Sequence, residues 1–319
     1  MPAVSVVMPV RNGAEYVAEA LQSILTQDLA DIEVILVDDG SSDDSVAIAE
    51  SLGKSDGRVQ IAANRGSGIV DALNMGISLA RAPLVARMDS DDVSLPGRLR
   101  LQVERFDAEP DLQLLGTAGL SIDRTGRRLG EIEVPVGGQQ ISSALSERNP
   151  VLHPTAMFRT EIARQVGGYR RAFAYAEDYD LWMRLSETGR VANTQAKLVK
   201  LRTHPAQTSK IKRDQQKAAS ALARQSALLR RRFVAEPFDT NSQPDQAIGT
   251  FLAWRADEGR GIDRAECRDI ELLLRTPGIP PALTRRLLLL AAIGAPSLKT
   301  LALAPRLAWH RVATRLVAR

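Results

Sequence analysis

Residues 32–52 read IEVILVDDGSSDDSVAIAESL: an apolar β-branched run, a turn of Asp, Gly and Ser, then a segment with helical character that Ser42 or Asp43 can cap. Working outward, the same order recurs. VSVVMPV (4–10) precedes AEYVAEALQSILTQ (14–27), whose Val17, Ala20, Leu21, Ile24 and Leu25 share one helical face. RVQIAA is followed by GIVDALNMGISLA, and APLVARM by LPGRLRLQVERFDAE. Strand runs that are apolar on both faces and separated by helical patterns predict an α/β chain, a mostly parallel sheet flanked by helices. Ligands of such sheets bind beyond the carboxyl ends of the strands. Both acidic turns, VDDGSSDD and MDSDD, fall at those ends.

Beyond about residue 110 the alternation loosens, with candidate strands at LQLLGTA, GEIEVPV and LHPTAMF. From about 211 the pattern is helical. The 319 residues can bury a large core. The lone Cys267 excludes an internal disulfide, and no Cys/His spacing suggests zinc. Because MPAVSVVMPVRNG has no basic leader before its short apolar run, no signal peptide is expected. The cytoplasm is the expected compartment.

The net charge of +4 is unevenly placed: residues 1–209 carry −6 and residues 210–319 carry +10. Residues 285–319 hold seven Arg/Lys and no Asp or Glu. Their longest apolar run is too short to span a bilayer, but basic helices carrying Leu, Val and Trp309 can lie on an anionic membrane surface or pack against the rest of the chain.

The stretch LVARMDSDD places Asp89, Asp91 and Asp92 within four residues after an apolar run. Carboxylates so close raise one another's pKa unless a cation or hydrogen-bond donors compensate. The cluster needs a partner.

The segments SVVMPVRNGAEYVAEALQSILTQ, EVILVDDGSSDDS, NRGSGIVDALNMGI, ARMDSDD, HPTAMFR and AEDYDLWMRL occur in an order that resembles family 2 glycosyltransferases of the GT-A fold. The resemblance covers roughly residues 3–209. It implies a catalytic domain over 1–209, with a nucleotide-sugar-binding part (1–110) and an acceptor-binding part (111–209), followed by a basic helical region (210–319).

In the resemblance, Asp91 holds Mn²⁺ or Mg²⁺ on the donor diphosphate, Asp89 meets the donor ribose or joins the metal shell, and His204 is a further metal or diphosphate contact. Asp39 accepts a hydrogen bond from the nucleotide base, and Asp38 shapes the same pocket. Pro9, Arg11, Arg65, Asp71 and Ser90 complete the donor side. Arg11 stands where many relatives carry a tyrosine or other side chain on the base. Asp178 is implied as the general base that accepts the acceptor hydroxyl's proton, with Glu177 in support. His153 is a weaker candidate.

The implied activity is inverting, metal-dependent transfer from a nucleotide-diphosphate sugar, with UDP the expected nucleotide, to a carbohydrate or lipid-linked saccharide acceptor. Two alternatives compete. A sugar-nucleotide pyrophosphorylase shares the sheet and metal use, but no Gly-rich loop with Lys/Arg follows the first strand. Nucleic-acid binding through the basic tail lacks interleaved aromatics, and the acidic front disfavours it. No nucleic-acid partner is expected.

Overall fold

The computed structural model describes residues 1–204, 212–258 and 264–294. Its first half alternates as the sequence predicts: β1 (Val4–Val10), α1 (Val17–Leu25), β2 (Ile32–Asp38), α2 (Ser45–Gly53), β3 (Val59–Ala63), α3 (Ile69–Leu79), β4 (Leu84–Arg87), β5 (Val93–Ser94) and α4 (Arg98–Ala108). Strands β3, β2, β1 and β4 lie side by side and parallel, so the ends of β1, β2 and β4 open on one edge.

Alternate residues of the strands serve opposite faces. Val4, Val6 and Met8 of β1 join a core with Leu21 and Ile24 of α1, whereas Val7 joins a second core with Val70 and Leu73 of α3. Helix α3 lies directly on the sheet, because a Cβ on Gly76 would stand 2.3 Å from a methyl of Val7.

Past β4 the sheet becomes mixed. β6 (Leu112–Asp123), β7 (Arg128–Ile132), β8 (Met157–Arg159) and β9 (Arg190–Thr203) extend it, with β8 antiparallel to β4 and β6, and β9 parallel to β6. The candidate strand LHPTAMF divides: residues His153–Thr155, with Pro154 at their centre, form a 3-10 turn, and only the end is strand. Strand β9, the longest in the sheet among the described residues, was not foreseen.

Helices α5 (Gly138–Leu145), α6 (Thr160–Gln165) and α7 (Glu177–Ser186) cover one face of this half. The C-terminal region is helical: α8 (Arg213–Arg231), α9 (Pro244–Glu258), α10 (Arg264–Leu273) and α11 (Pro281–Gly294). It shares a core with the sheet domain, since Ala219 and Leu222 of α8 and Phe251 of α9 belong to the same cluster as Trp182 of α7. No helix among the described residues is long and apolar enough to cross a membrane. Trp309 and most of the basic tail lie outside the described residues.

Candidate active site

The donor-side turns are locked to one another. The Asp39 amide donates to the Val10 carbonyl at 2.8 Å. Asn12 adopts a left-handed backbone (φ 51°), and its side-chain oxygen accepts from the Ser42 amide at 2.8 Å. Asp39 Oδ1 accepts from Asn64 Nδ2 at 2.7 Å and from the Gly68 amide at 2.9 Å, where the chain turns into α3. Its Oδ2 lies 3.5 Å from Nη1 of the largely exposed Arg11. Pro9, Arg11, Asp39, Gly68, Asp89 and Tyr175 border a cavity of about 370 Å³.

At the end of β4, Asp89, Asp91 and Asp92 each bring a carboxylate oxygen within 4.8 Å of the others. Strand β9 braces this turn. Arg202, largely buried, donates from its Nε to the Asp91 carbonyl at 2.8 Å, and its backbone amide donates to Asp92 Oδ1 at 2.8 Å. His204, just beyond β9, sets its Nε2 2.9 Å from Asp91 Oδ2. From below, the fully buried Arg98 donates to the Arg87 carbonyl at 2.7 Å.

Burial, then the neighbouring Asp89, raises the pKa of Asp91; burial with both neighbours holds Asp92 well above the ordinary range. A compact set of hard carboxylate oxygens, costly to ionise together, fits a divalent cation such as Mg²⁺ or Mn²⁺. Asp89 and Asp91, only partly buried, border the cavity and can turn toward it, although Arg87 pairs with Asp89 and His204 meets Asp91, whereas Asp92 is buried and tied to β9. Such an ion, when bound, neutralises charge on a diphosphate.

Across a second cavity of about 590 Å³, which Arg87, Asp89, Ser90, Asp91, Asp92 and His204 also line, stand Glu177 and Asp178 in the first turn of α7. Asp178 Oδ2 accepts from Asn149 Nδ2 at 2.7 Å, and its Oδ1 from the Tyr179 amide at 2.7 Å. Burial pushes Asp178 up to about 6, against the pull of those donors and of Arg87. Glu177, with Oε2 unpaired, is pushed up to about 7 by burial and by Asp178. A carboxyl in this range suits proton acceptance near neutral pH. Helix α7 is anchored beneath by the fully buried Asp180, which pairs with Arg170 and Arg184.

The raised Glu177 has a consequence for stability. Folded, it binds its proton more tightly than when unfolded, so its stabilising share is full below about 4.5 and is lost as pH rises through about 7. Glu177→Gln is therefore expected to raise the melting temperature at pH 8 by roughly 2–4 °C, with the gain vanishing near pH 4. Thermal unfolding at the two pH values checks it; an equal shift at both would place the effect elsewhere.

Most of the sequence-predicted residues converge on the two cavities: Pro9, Arg11, Asp39, Asp89, Ser90, Asp91, His204, Glu177 and Asp178. Three lie apart. Asp38 spends its carboxylate on the Gly40 and Ser41 amides of its own turn. Arg65 is exposed and borders neither cavity. Asp71 pairs with Arg171 and accepts from the Ser67 amide at 2.8 Å. Its carboxylate also explains Gly66, where a Cβ would stand 2.0 Å from Asp71 Oδ2.

His153 borders the larger cavity, but burial holds it neutral, with Nε2 3.0 Å from the Tyr169 hydroxyl. Sequence reasoning missed Asn149, Lys212, Arg87 and Tyr175. The last borders both cavities with φ 78°, unusual for a bulky side chain. Only Arg87 left a signal, a charge inside an apolar strand.

Residues 5–167 match the model of the family described as Glycosyl transferase family 2. The Escherichia coli O-antigen biosynthesis glycosyltransferase WbnJ is 35% identical over 185 residues, covering 57% of this chain and 71% of that protein. Among solved structures, S. aureus TarS 1-349 in complex with UDP-GlcNAc superposes with a TM-score of 0.60 at 15% identity over 91% of this chain and 79% of that one. The Pyrobaculum calidifontis mannosyltransferase PcManGT, in complex with GDP-Man and Mn²⁺, gives 0.56 at 18% identity over 99% and 80%.

Proposed function

Since the chain belongs to glycosyl transferase family 2 and is a glycosyltransferase of GT-A fold, we propose that it moves a sugar from a UDP-sugar to an acceptor hydroxyl by single displacement with inversion, in the synthesis of a polysaccharide or other glycoconjugate. One observation carries this reading: the Asp89–Asp91 turn and the Glu177–Asp178 pair face a common cavity. A diphosphate held at the first and a hydroxyl at the second place the anomeric carbon between leaving group and nucleophile. Asp178 accepts the hydroxyl proton, Asn149 holds its carboxylate in place, and Asp89 with Asp91 holds the cation on the diphosphate.

The surroundings of Asp39 support uracil as the base. Its Oδ1 already accepts two hydrogen bonds, leaving Oδ2 with Arg11 beside it. Uracil presents one ring N–H between two carbonyls, which suits one carboxylate oxygen and a neighbouring guanidinium. Guanine presents two adjacent N–H donors and needs both oxygens.

The test is a panel of UDP- and GDP-sugars with Mn²⁺, following the nucleotide released. UDP release is expected, with UDP binding at least about tenfold tighter than GDP, a 1.4 kcal/mol difference. Equal affinity would contradict the base assignment. Pyrophosphate exchange in place of diphosphate release would overturn the transfer reading.

A further inference from the structure

We propose that Arg87 is a positioning residue, a built-in cation that holds Asp89 in the metal-free protein and disfavours bare metal, so that cation and nucleotide diphosphate bind together. The inference rests on the metal reading above. Arg87 ends β4, between β1 and β8, with its side chain only 5% exposed, yet it borders the larger cavity. Its Nη1 contacts Asp89 Oδ2 as an ion pair, while its buried Nε has no hydrogen-bond partner. Burying a guanidinium with an unspent donor is costly, and such a group persists where its charge is needed. Here it faces carboxylates from two sides: Asp89 and Asp92 on the turn after its own strand, Glu177 and Asp178 on α7. His153, the other buried basic side chain at this cavity, is neutral.

A cation that takes Asp89 Oδ2 must displace Arg87 from it, and one on Oδ1 meets the charge of Arg87 close by. The two compete, and bare metal is weakened by the strength of that pair. A diphosphate supplies further oxygens to the ion and offsets the loss, so nucleotide and metal promote each other's binding reciprocally. If Arg87 only filled space at the end of β4, its removal would loosen the acidic turn and weaken metal binding. The two roles predict opposite signs.

The test titrates Mn²⁺ into the full chain, with and without UDP, following free Mn²⁺ by electron paramagnetic resonance. Arg87→Met is expected to bind Mn²⁺ alone at least about tenfold tighter than wild type, with the enhancement by UDP reduced by a similar factor. Arg87→Lys, which keeps the charge, stays close to wild type. Unchanged or weaker Mn²⁺ binding in folded Arg87→Met overturns the proposal. Should that variant not fold, Arg87→Gln takes its place: tighter binding of Mn²⁺ alone by about tenfold supports the proposal, and unchanged or weaker binding overturns it.

Asp91→Asn separates this failure from that of the metal reading. If Asp91→Asn leaves Mn²⁺ binding with UDP intact, the metal reading itself fails. If it abolishes binding while Arg87→Met changes nothing, only the role of Arg87 fails.

Discussion

Replacing Asp178 with Asn is expected to lower turnover by roughly a hundredfold or more while leaving nucleotide affinity unchanged. The amide keeps the shape of the carboxylate but cannot take a proton from the acceptor hydroxyl. The wild-type profile carries a second signature. Burial holds Asp178 at about 6 and the adjacent Glu177 at about 7, so a base that works unprotonated loses activity as pH falls through this range. In Asp178→Asn the residual rate is expected to lose that acid limb. Steady-state rates across pH 5–9, with UDP binding measured separately, check both. A collapse of UDP affinity at unchanged turnover per bound donor would move Asp178 into the nucleotide pocket.

Asp91→Asn is expected to lower metal-dependent transfer by roughly a hundredfold to a thousandfold, the scale of losing one group that stabilises developing charge. Chelation is expected to do the same to wild type, reversibly on adding Mn²⁺. The fold is not at risk. Burial and Asp89 raise the pKa of Asp91, so neutralising it relieves repulsion, and the melting temperature of the metal-free variant is expected to hold or rise. Rates over a Mn²⁺ titration, read beside thermal unfolding, distinguish a lost cation from a lost fold. Wild-type turnover in this variant or in excess chelator would remove the metal from the mechanism.

The half of the fold that was legible is the half whose strands are apolar on both faces. β1 and β4 are buried throughout and β2 up to its last residue, and a run such as VSVVMPV has no other comfortable place. Strand β9 escaped because RVANTQAKLVKLRT interleaves Lys, Gln and Thr with apolar residues and is only partly buried. Its assignment comes from pairing with β6, which lies more than 70 residues earlier. That miss mattered for the site, because β9 delivers Arg202 to the acidic turn and leads into His204.

At the site, legibility followed locality. Asp39, Asp89 and Asp91 sit at strand ends, where a parallel sheet presents its ligands, and each borders a cavity. Asp38, one residue from Asp39, turns the other way and caps its own turn, a choice that composition does not reveal. Asp71 is claimed by Arg171, one hundred residues away. Asn149 reaches Asp178 across 29 residues, from a segment with no pattern of its own.

The central claim is that Asp89 and Asp91 hold a divalent cation on a nucleotide diphosphate whose base rests on Asp39. Anomalous diffraction at the manganese edge, from crystals grown with UDP and Mn²⁺, measures this directly. The expected result is one strong peak between the carboxylates of Asp89 and Asp91 and the diphosphate, with the uracil beside Asp39 and Arg11. A bound UDP whose diphosphate carries no manganese, or a peak away from both aspartates, would contradict it.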